Sequence, residues 1–414
     1  VILSKKIFYL ILFLLPLNLG KHFIFSGSFV DGLLIDYLVP TLYVQDILIF
    51  MLLIVWVYEF FIKSERAVVP TFSQHDLTIF YFFIFSLFLS VLVAPLFNIS
   101  VLTFARTFLY FLLFLYIYFN ISLEKDFNII LSIFVVSFSL VSLLGIFQFI
   151  KQSSVFNNYL ILGEQPYSLS TRGIRLENVF GFTKVPTYGL FRHPNIFGGL
   201  LSVILIWVIS RLNASKLYFV PLCLMLSALL FTFSTMSYVS FVLGVFLYLM
   251  LTKELSGLRK YLVIILFLLF LFSLSFQSLL PNINISLLRR YQLLQGSYVL
   301  LRDHLVYGVG FNSFTIFIES VLGYMGSISF IQPVHNLFML VLTESGIISL
   351  LFLVLIMYTS ITRVRGPLLF VSLFQIVFLS FFDHYFWTIH SAHLFLWVIL
   401  GLCWTIGSNY FYNK

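Results

Sequence analysis

Three short segments carry residue types able to do chemistry. The first is Pro333-Val334-His335-Asn336, at the start of an apolar run. A histidine at such a mouth is partly desolvated and can serve as a general base near neutral pH. Asn336 can orient a substrate or the ring, or simply cap a helix. Glu344 follows nine positions later, inside the apolar run. A carboxylate that deep is costly, so function is its default reading. The second segment is Gly189-Leu190-Phe191-Arg192-His193-Pro194-Asn195, followed by Gly198-Gly199. Proline in a helix's first turn with free amides around it favours an anion, and the glycine pair lets another helix approach closely. The third pairs Arg290 and Arg302 with the turn Gly308-Val309-Gly310. Two guanidinium forks before a glycine turn suit a pyrophosphate or an anionic lipid head group. Arg106, within an apolar run, either snorkels or reaches the same external cavity. Asp383, His384, His390 and His393 cluster near another run's end, as interfacial polar groups or as a proton relay.

The elements that position these residues follow from composition. The 414 residues are 61% hydrophobic and 9% charged, with mean hydropathy +1.09. Soluble domains run near 45–50% apolar and about 25% charged. A cytosolic enzyme, a secreted domain and a nucleic-acid binder are therefore excluded, and the net charge of +8 is no nucleic-acid signal. A transmembrane barrel would show short period-2 alternation instead of long apolar runs. The expected architecture is all-α and polytopic, one integral membrane domain over residues 1–414. Its runs lie near 7–19, 42–62, 77–96, 101–119, 127–150, 195–210, 217–233, 238–251, 261–280, 337–360, 368–382 and 394–406. That is about twelve spans, each near the ~20 residues a bilayer needs. No small-residue cleavage site follows the first run, so it is read as a helix and not a signal peptide.

Charge then orients the chain. With the N-terminus cytoplasmic, one side receives Lys5, Lys6, Lys63, Arg66, Lys125, Arg211, Lys216, Lys253, Arg259, Lys260, Arg363, Arg365 and Lys414. The short loops opposite, 95–100 and 234–235, carry no cation. This is the positive-inside pattern, with both termini cytoplasmic. Two long external loops, about 151–194 and 281–332, are the expected places for extramembrane structure. Both carry cations, either for solubility or as an arginine-rich mouth that holds an anion. Leu287, Leu288, Tyr291, Leu294, Tyr298 and Leu301 recur at helical spacing, which predicts an amphipathic helix at the membrane surface. Cys223 and Cys403 lie in apolar runs and form no disulfide framework. There is no phosphate-loop motif, no dinucleotide fingerprint, no HExxH and no Cys/His ligand spacing. No cofactor and no metal are expected.

In this setting the residues resemble a family. Gly189 to Asn195 with Gly198-Gly199 is similar to the G-x-F-x-H-P-N-x-x-G-G segment of bacterial O-antigen ligases and polymerases. Arg290 through Arg302-Asp303-His304 to Gly308-Val309-Gly310 resembles that family's arginine helix and its G-V-G turn. His335-Asn336-Leu337-Phe338 with Glu344 and Gly346 resembles its H-N-x-[FL]…E-x-G segment. The motifs cover roughly residues 189–353, in the family's order. Three features depart from it: Ser234-Thr235-Met236 lacks the usual arginine, Leu294-Gln295 replaces Trp-Arg, and Leu305 stands where proline is common. The resemblance implies a metal-independent glycosyltransferase of polysaccharide or lipopolysaccharide assembly, multi-pass in the bacterial cytoplasmic (inner) membrane. It would move a glycan from an undecaprenyl pyrophosphate carrier to a lipid or glycan acceptor on the external face. His335 matches the family's base, and Arg290 its pyrophosphate ligand. Arg192, Arg302, Arg106 and Asn336 are the further binding candidates. The alternative is a lipid-linked oligosaccharide flippase or another transporter, for which twelve spans and intramembrane charge also suffice.

Overall fold

A computed structural model describes residues 3–62, 74–179, 181–252, 283–323, 331–364 and 366–405. The expected span at 261–280 lies outside the described residues, as do Lys63, Arg66, Lys253, Arg259, Lys260, Arg365 and Lys414. The described residues are mostly helical, at 70%. In order the helices are α1 Leu3–Phe13, α2 Val44–Ile62, α3 Gln74–Leu92, α4 Phe97–Asn120, α5 Leu123–Lys151, α6 Pro194–Ile209, α7 Phe219–Phe231 and α8 Thr235–Leu251. They continue with α9 Ile283–His304, α10 Phe314–Gly323, α11 Leu337–Arg363, α12 Pro367–Ser380, the short α13 Tyr385–Thr388 and α14 His390–Trp404. Four of them, α2, α4, α5 and α11, are long and apolar enough to cross a membrane. Helices α3, α6, α7, α8, α12 and α14 are apolar but shorter. Each expected run that falls within the described residues coincides with a helix, within a few residues at most ends.

The first run is the exception in length. Helix α1 stops at Phe13, because a proline at 16 would clash with the carbonyl four residues back and offers no amide. The freed carbonyls of Leu14 and Leu17 accept from Gln45 Nε2 at 2.6 and 2.7 Å.

Helices α6 and α14 form the centre. Every residue of α14 is buried, and so is α6 from Ile196 to Ile209. Helix α14 packs on α4, and α6 packs on α7, α8 and α12. The glycine pair does what its spacing predicts. A Cβ at Gly198 would come 2.8 Å from Ser237 Oγ, and one at Gly199 would sit on the Tyr385 hydroxyl. The outer faces are apolar as well: Phe50, Ile54, Phe82, Phe85, Val136 and Leu140 are all exposed. Such a surface suits lipid and not water.

Extramembrane structure departs from expectation in two ways. A third segment, ahead of the two expected, is built. Strand Gly20–His22 pairs antiparallel with Thr41–Tyr43, and Phe29–Val30 pairs with Leu33–Leu34. Its short strands and 3-10 turns are below the length that sequence periodicity reveals. Within the loop after α5, Glu177–Val179 pairs with Phe182–Lys184. Helix α9 forms where the stripe predicts a helix, but it is not clearly amphipathic, because apolar residues lie on both of its faces. Leu293, Ser297 and Leu300 are buried against the protein, whereas Leu287, Leu288, Tyr291 and Tyr298 of the expected stripe face outward.

Candidate functional site

Helix α11 begins with a side-chain cap. Asn336 Oδ1 accepts from Met339 N at 2.9 Å, and Asn336 Nδ2 donates to Phe381 O at 3.1 Å. The cap satisfies one of the free amides of a helix start. The second bond ties that start to the end of α12, where Phe338 and Phe381 also pack ring on ring at 4.8 Å. This tie brings Asp383 to His335. His335 Nδ1 lies 3.4 Å from Asp383 Oδ1, an ion-pair contact and not a made hydrogen bond, since Nδ1 has no hydrogen-bond partner. His384 Nε2 approaches the same oxygen at 3.8 Å. Arg290, on α9, donates from Nη1 to Phe382 O at 3.2 Å, a cation placed on the last carbonyls of α12.

Electrostatics sets the ionisation of this group. Burial raises the Asp383 carboxyl, but its neighbours His335, His384 and Arg290 outweigh it and hold the group well below the usual carboxylate range. It is therefore an anion at neutral pH. Burial pushes the His384 imidazole down to about 3, against the pull of Asp383, so that ring is neutral.

The Arg192 segment arrives from the start of α6. His193 is the N-cap, its Nδ1 accepting from Asn195 N at 3.1 Å. Asn195 Oδ1 in turn accepts from Arg175 Nη1 at 2.7 Å, and Arg175 is paired with Glu177 at 2.6 Å. Burial, then Arg175, holds His193 down to about 3, and the charges of Asp383, His335 and Arg290 also reach it. Arg192 donates from Nη2 to Tyr43 OH at 3.1 Å and lies 3.5 Å from His22 Nε2. Among the described residues it has no carboxylate partner within ion-pair distance. Tyr37 stands between the two halves: its ring meets His384 edge-on at 5.6 Å, and both Asp383 and Arg192 act on its hydroxyl.

His335, Arg290 and Arg192 thus border one region. Arg302 does not belong to it. Twelve residues along α9 from Arg290, it stands roughly 18 Å further along the axis, and it is exposed. Substituting Arg290 by Ala is therefore expected to weaken binding of inorganic pyrophosphate by 10-fold or more, whereas Arg302→Ala stays within about 2-fold. A pyrophosphate titration of both variants checks this, and equal losses would contradict the geometry.

Arg106 lies below, in a cavity of about 50 Å³ that it lines together with Asp36, Tyr37, Arg192, Asn312 and Thr388. Its Nε pairs with Asp46 Oδ2 at 3.3 Å, and its Nη2 donates to Thr41 O. Tyr110 OH donates to the other Asp46 oxygen at 3.0 Å. The charge is neutralised in place. Glu344, the other intramembrane carboxyl, has a backbone partner: its Oε1 accepts from Phe314 N at 3.1 Å, at the start of α10.

The four-residue cluster near the end of α12 divides. Asp383 and His384 join His335, while His390 stacks on Tyr43 at 3.5 Å and His393 accepts from Trp397 Nε1 at 2.9 Å. Among the described residues, ligand atoms of His335, Asp383 and His384 lie within 4.8 Å of one another. That set is able to hold a divalent ion, although Arg290 alongside already balances the carboxylate. Tyr37 is a site residue that sequence reasoning did not select, and Asp383 was noted in its cluster without its partner His335. Tyr37 carries no sequence signal at all, and Asp383 carries only its nearness to a run's end.

The neutral His193 has a consequence for stability. Its folded pKa is depressed below the ~6.5 of an unfolded histidine. Between those values the unfolded chain binds more protons, so stability falls as pH drops from about 6.5 toward 3. The unfolding temperature in detergent should decline over that window. His193→Asn, which keeps the cap and removes the ring, should flatten part of the decline; an unchanged slope would contradict this assignment.

No protein-family model matches the chain, and no curated protein matches it.

Proposed function

We propose that this chain is a membrane glycosyltransferase that moves a glycan from an undecaprenyl pyrophosphate carrier to an acceptor hydroxyl. The reading places it in the bacterial cytoplasmic membrane, with about twelve spans, both termini cytoplasmic and the site on the external face. The observation that carries it is the meeting of His335 with Asp383, flanked by Arg290 and by Arg192. His335 turns Nδ1 toward Asp383, which leaves Nε2 for the acceptor. Nε2 takes the acceptor's proton while the acceptor oxygen bonds to the sugar's anomeric carbon. The bond from that carbon to the pyrophosphate oxygen breaks, and its electron pair leaves with the carrier pyrophosphate. Asp383 stabilises the imidazolium. Arg290 and Arg192 meet the charge that grows on the leaving group, which is differential binding of the transition state.

The alternative, translocation of a lipid-linked oligosaccharide, drew on the intramembrane charges of Arg106 and Glu344. Arg106 is paired with Asp46, and Glu344 is bonded at the start of α10. These observations favour transfer over transport.

The test uses the purified protein in nanodiscs with an undecaprenyl-pyrophosphate oligosaccharide and an envelope acceptor extract, with and without EDTA. Release of carrier pyrophosphate, undiminished by EDTA, is expected. No release with any acceptor would overturn the reading. Loss of release in EDTA, restored by zinc or magnesium, would make His335, Asp383 and His384 a metal site instead.

A further inference from the structure

The site holds a second histidine that the proposed reaction leaves without a task. His384 is 3% exposed, and its ring is fixed on each side. Nδ1 lies 2.7 Å from Thr388 Oγ1. Nε2 lies 3.8 Å from Asp383 Oδ1. Tyr37, from the strand segment after α1, closes one face edge-on. The His335 ring, from the segment before α11, stands 5.3 Å away. Arg290 from α9 and His193 from the start of α6 complete the charged and titratable surroundings.

The two neighbours select a tautomer. Ionised Asp383 only accepts hydrogen bonds, whereas a threonine hydroxyl both donates and accepts. With the proton on Nε2, the ring turns N–H toward the carboxylate, and Nδ1 accepts from Thr388. The other tautomer would set a lone pair against the anion. Asp383 Oδ1 is then surrounded by three nitrogens: His384 N, which donates at 2.8 Å, His335 Nδ1 and His384 Nε2. Removal of the ring would leave Oδ1 only the His384 backbone amide and His335, and the carboxylate less confined beside His335.

We infer that His384, set in its Nε2–H tautomer by the Asp383 carboxylate and anchored by Thr388, is a positioning residue that keeps Asp383 against His335. This rests on the proposed transferase reading for its kinetic effect, though not for its effect on His335 itself. Glutamine and asparagine separate the two contacts. A glutamine amide nitrogen falls near the position of Nε2 and reaches Asp383. An asparagine amide falls near Nδ1 and reaches only Thr388.

Four variants test it: His384→Gln, His384→Asn, His384→Phe and Thr388→Val, each checked for folding by thermal unfolding. Glycan transfer is expected to lose roughly 10- to 30-fold in kcat in the Phe and Asn variants with KM within about 3-fold, as when a general base is misaligned. His384→Gln should recover to within about 3-fold of the parent. Thr388→Val should lose a smaller factor in kcat, and it keeps the test open if the Phe variant does not fold. A second readout needs no substrate: carbethoxylation of His335 by diethylpyrocarbonate, followed by peptide mass spectrometry. Its rate should fall in the Phe and Asn variants and recover in the Gln variant. Equal loss in Gln and Phe, or a raised KM with kcat kept, would mean that the ring only fills space and would overturn the inference. So would an unchanged His335 reactivity in the Phe variant. If the parent protein transfers no glycan, the transferase reading fails, and the diethylpyrocarbonate series still decides the positioning role.

Discussion

Replacing His335 by glutamine is expected to lower glycan transfer by roughly 10²–10⁴-fold, the range that a positioned general base contributes. Glutamine preserves the bulk and a hydrogen-bonding end, so the packing around Pro333 and Asn336 survives. It cannot take up the acceptor's proton. Asp383 would stay close, without an imidazolium to stabilise. The loss should fall on kcat, because the arginines that meet the pyrophosphate are untouched and donor KM stays within a few-fold. Carrier pyrophosphate release under donor saturation measures the first, and a donor titration the second. A variant that keeps a tenth or more of the turnover would remove His335 from the chemistry.

The largest structural effect is expected at Gly346. Helix α11 is broken there, with φ +77° at that residue. The break receives the turn after α9: Val309 N donates to Thr343 O at 2.9 Å, Gly310 N to Glu344 O at 3.0 Å, and Ile347 N to Leu305 O at 2.9 Å. A Cβ at 346 would run into the Val306 carbonyl, which is backbone and cannot turn aside. Gly308, at φ +72°, would meet the Glu344 backbone in the same way. Alanine at 346 combines left-handed strain of about 1–3 kcal/mol with overpacking of about 1–3 kcal/mol. That total is large against ordinary protein stability. Poor recovery of monodisperse protein and a lowered unfolding temperature are expected, with activity lost through misplacement of His335. The neighbouring Ser345→Ala is the control. Its buried hydroxyl has no hydrogen-bond partner, so its removal costs little. Equal behaviour of the two variants would contradict the interlock.

How much of this was legible depends on the range of the interaction. Apolar runs near 20 residues located the described helices because period and length are local properties. The start of α6 was legible for the same reason: a proline in the first turn and a glycine pair four residues on act within one turn. Asn336 could be read as a cap from its place before Leu337. Asp383 could not be matched to His335, since 48 positions separate them and only the Asn336–Phe381 tie brings them together. The partner of Glu344 was not legible either, since it is a backbone amide, that of Phe314, which any sequence supplies. Tyr37 and Tyr43 were hidden because short strands joined by 3-10 turns leave no periodic trace. The stripe on α9 gave its helix correctly, but Arg290 belongs to the face next to it, the one that packs on the protein.

The central claim is that a covalent bond is exchanged at this site, and liposomes test it most directly. The protein would be reconstituted with an undecaprenyl-pyrophosphate oligosaccharide in the membrane and an acceptor glycolipid beside it. Mass spectrometry would then follow both lipids, while a membrane-impermeant sugar oxidant reports which leaflet holds the donor. A glycan-extended acceptor, with free carrier pyrophosphate in equal amount and neither in the His335→Gln protein, is the result this account predicts. An intact donor that changes leaflet, with the acceptor unmodified, would contradict it and make the protein a translocator.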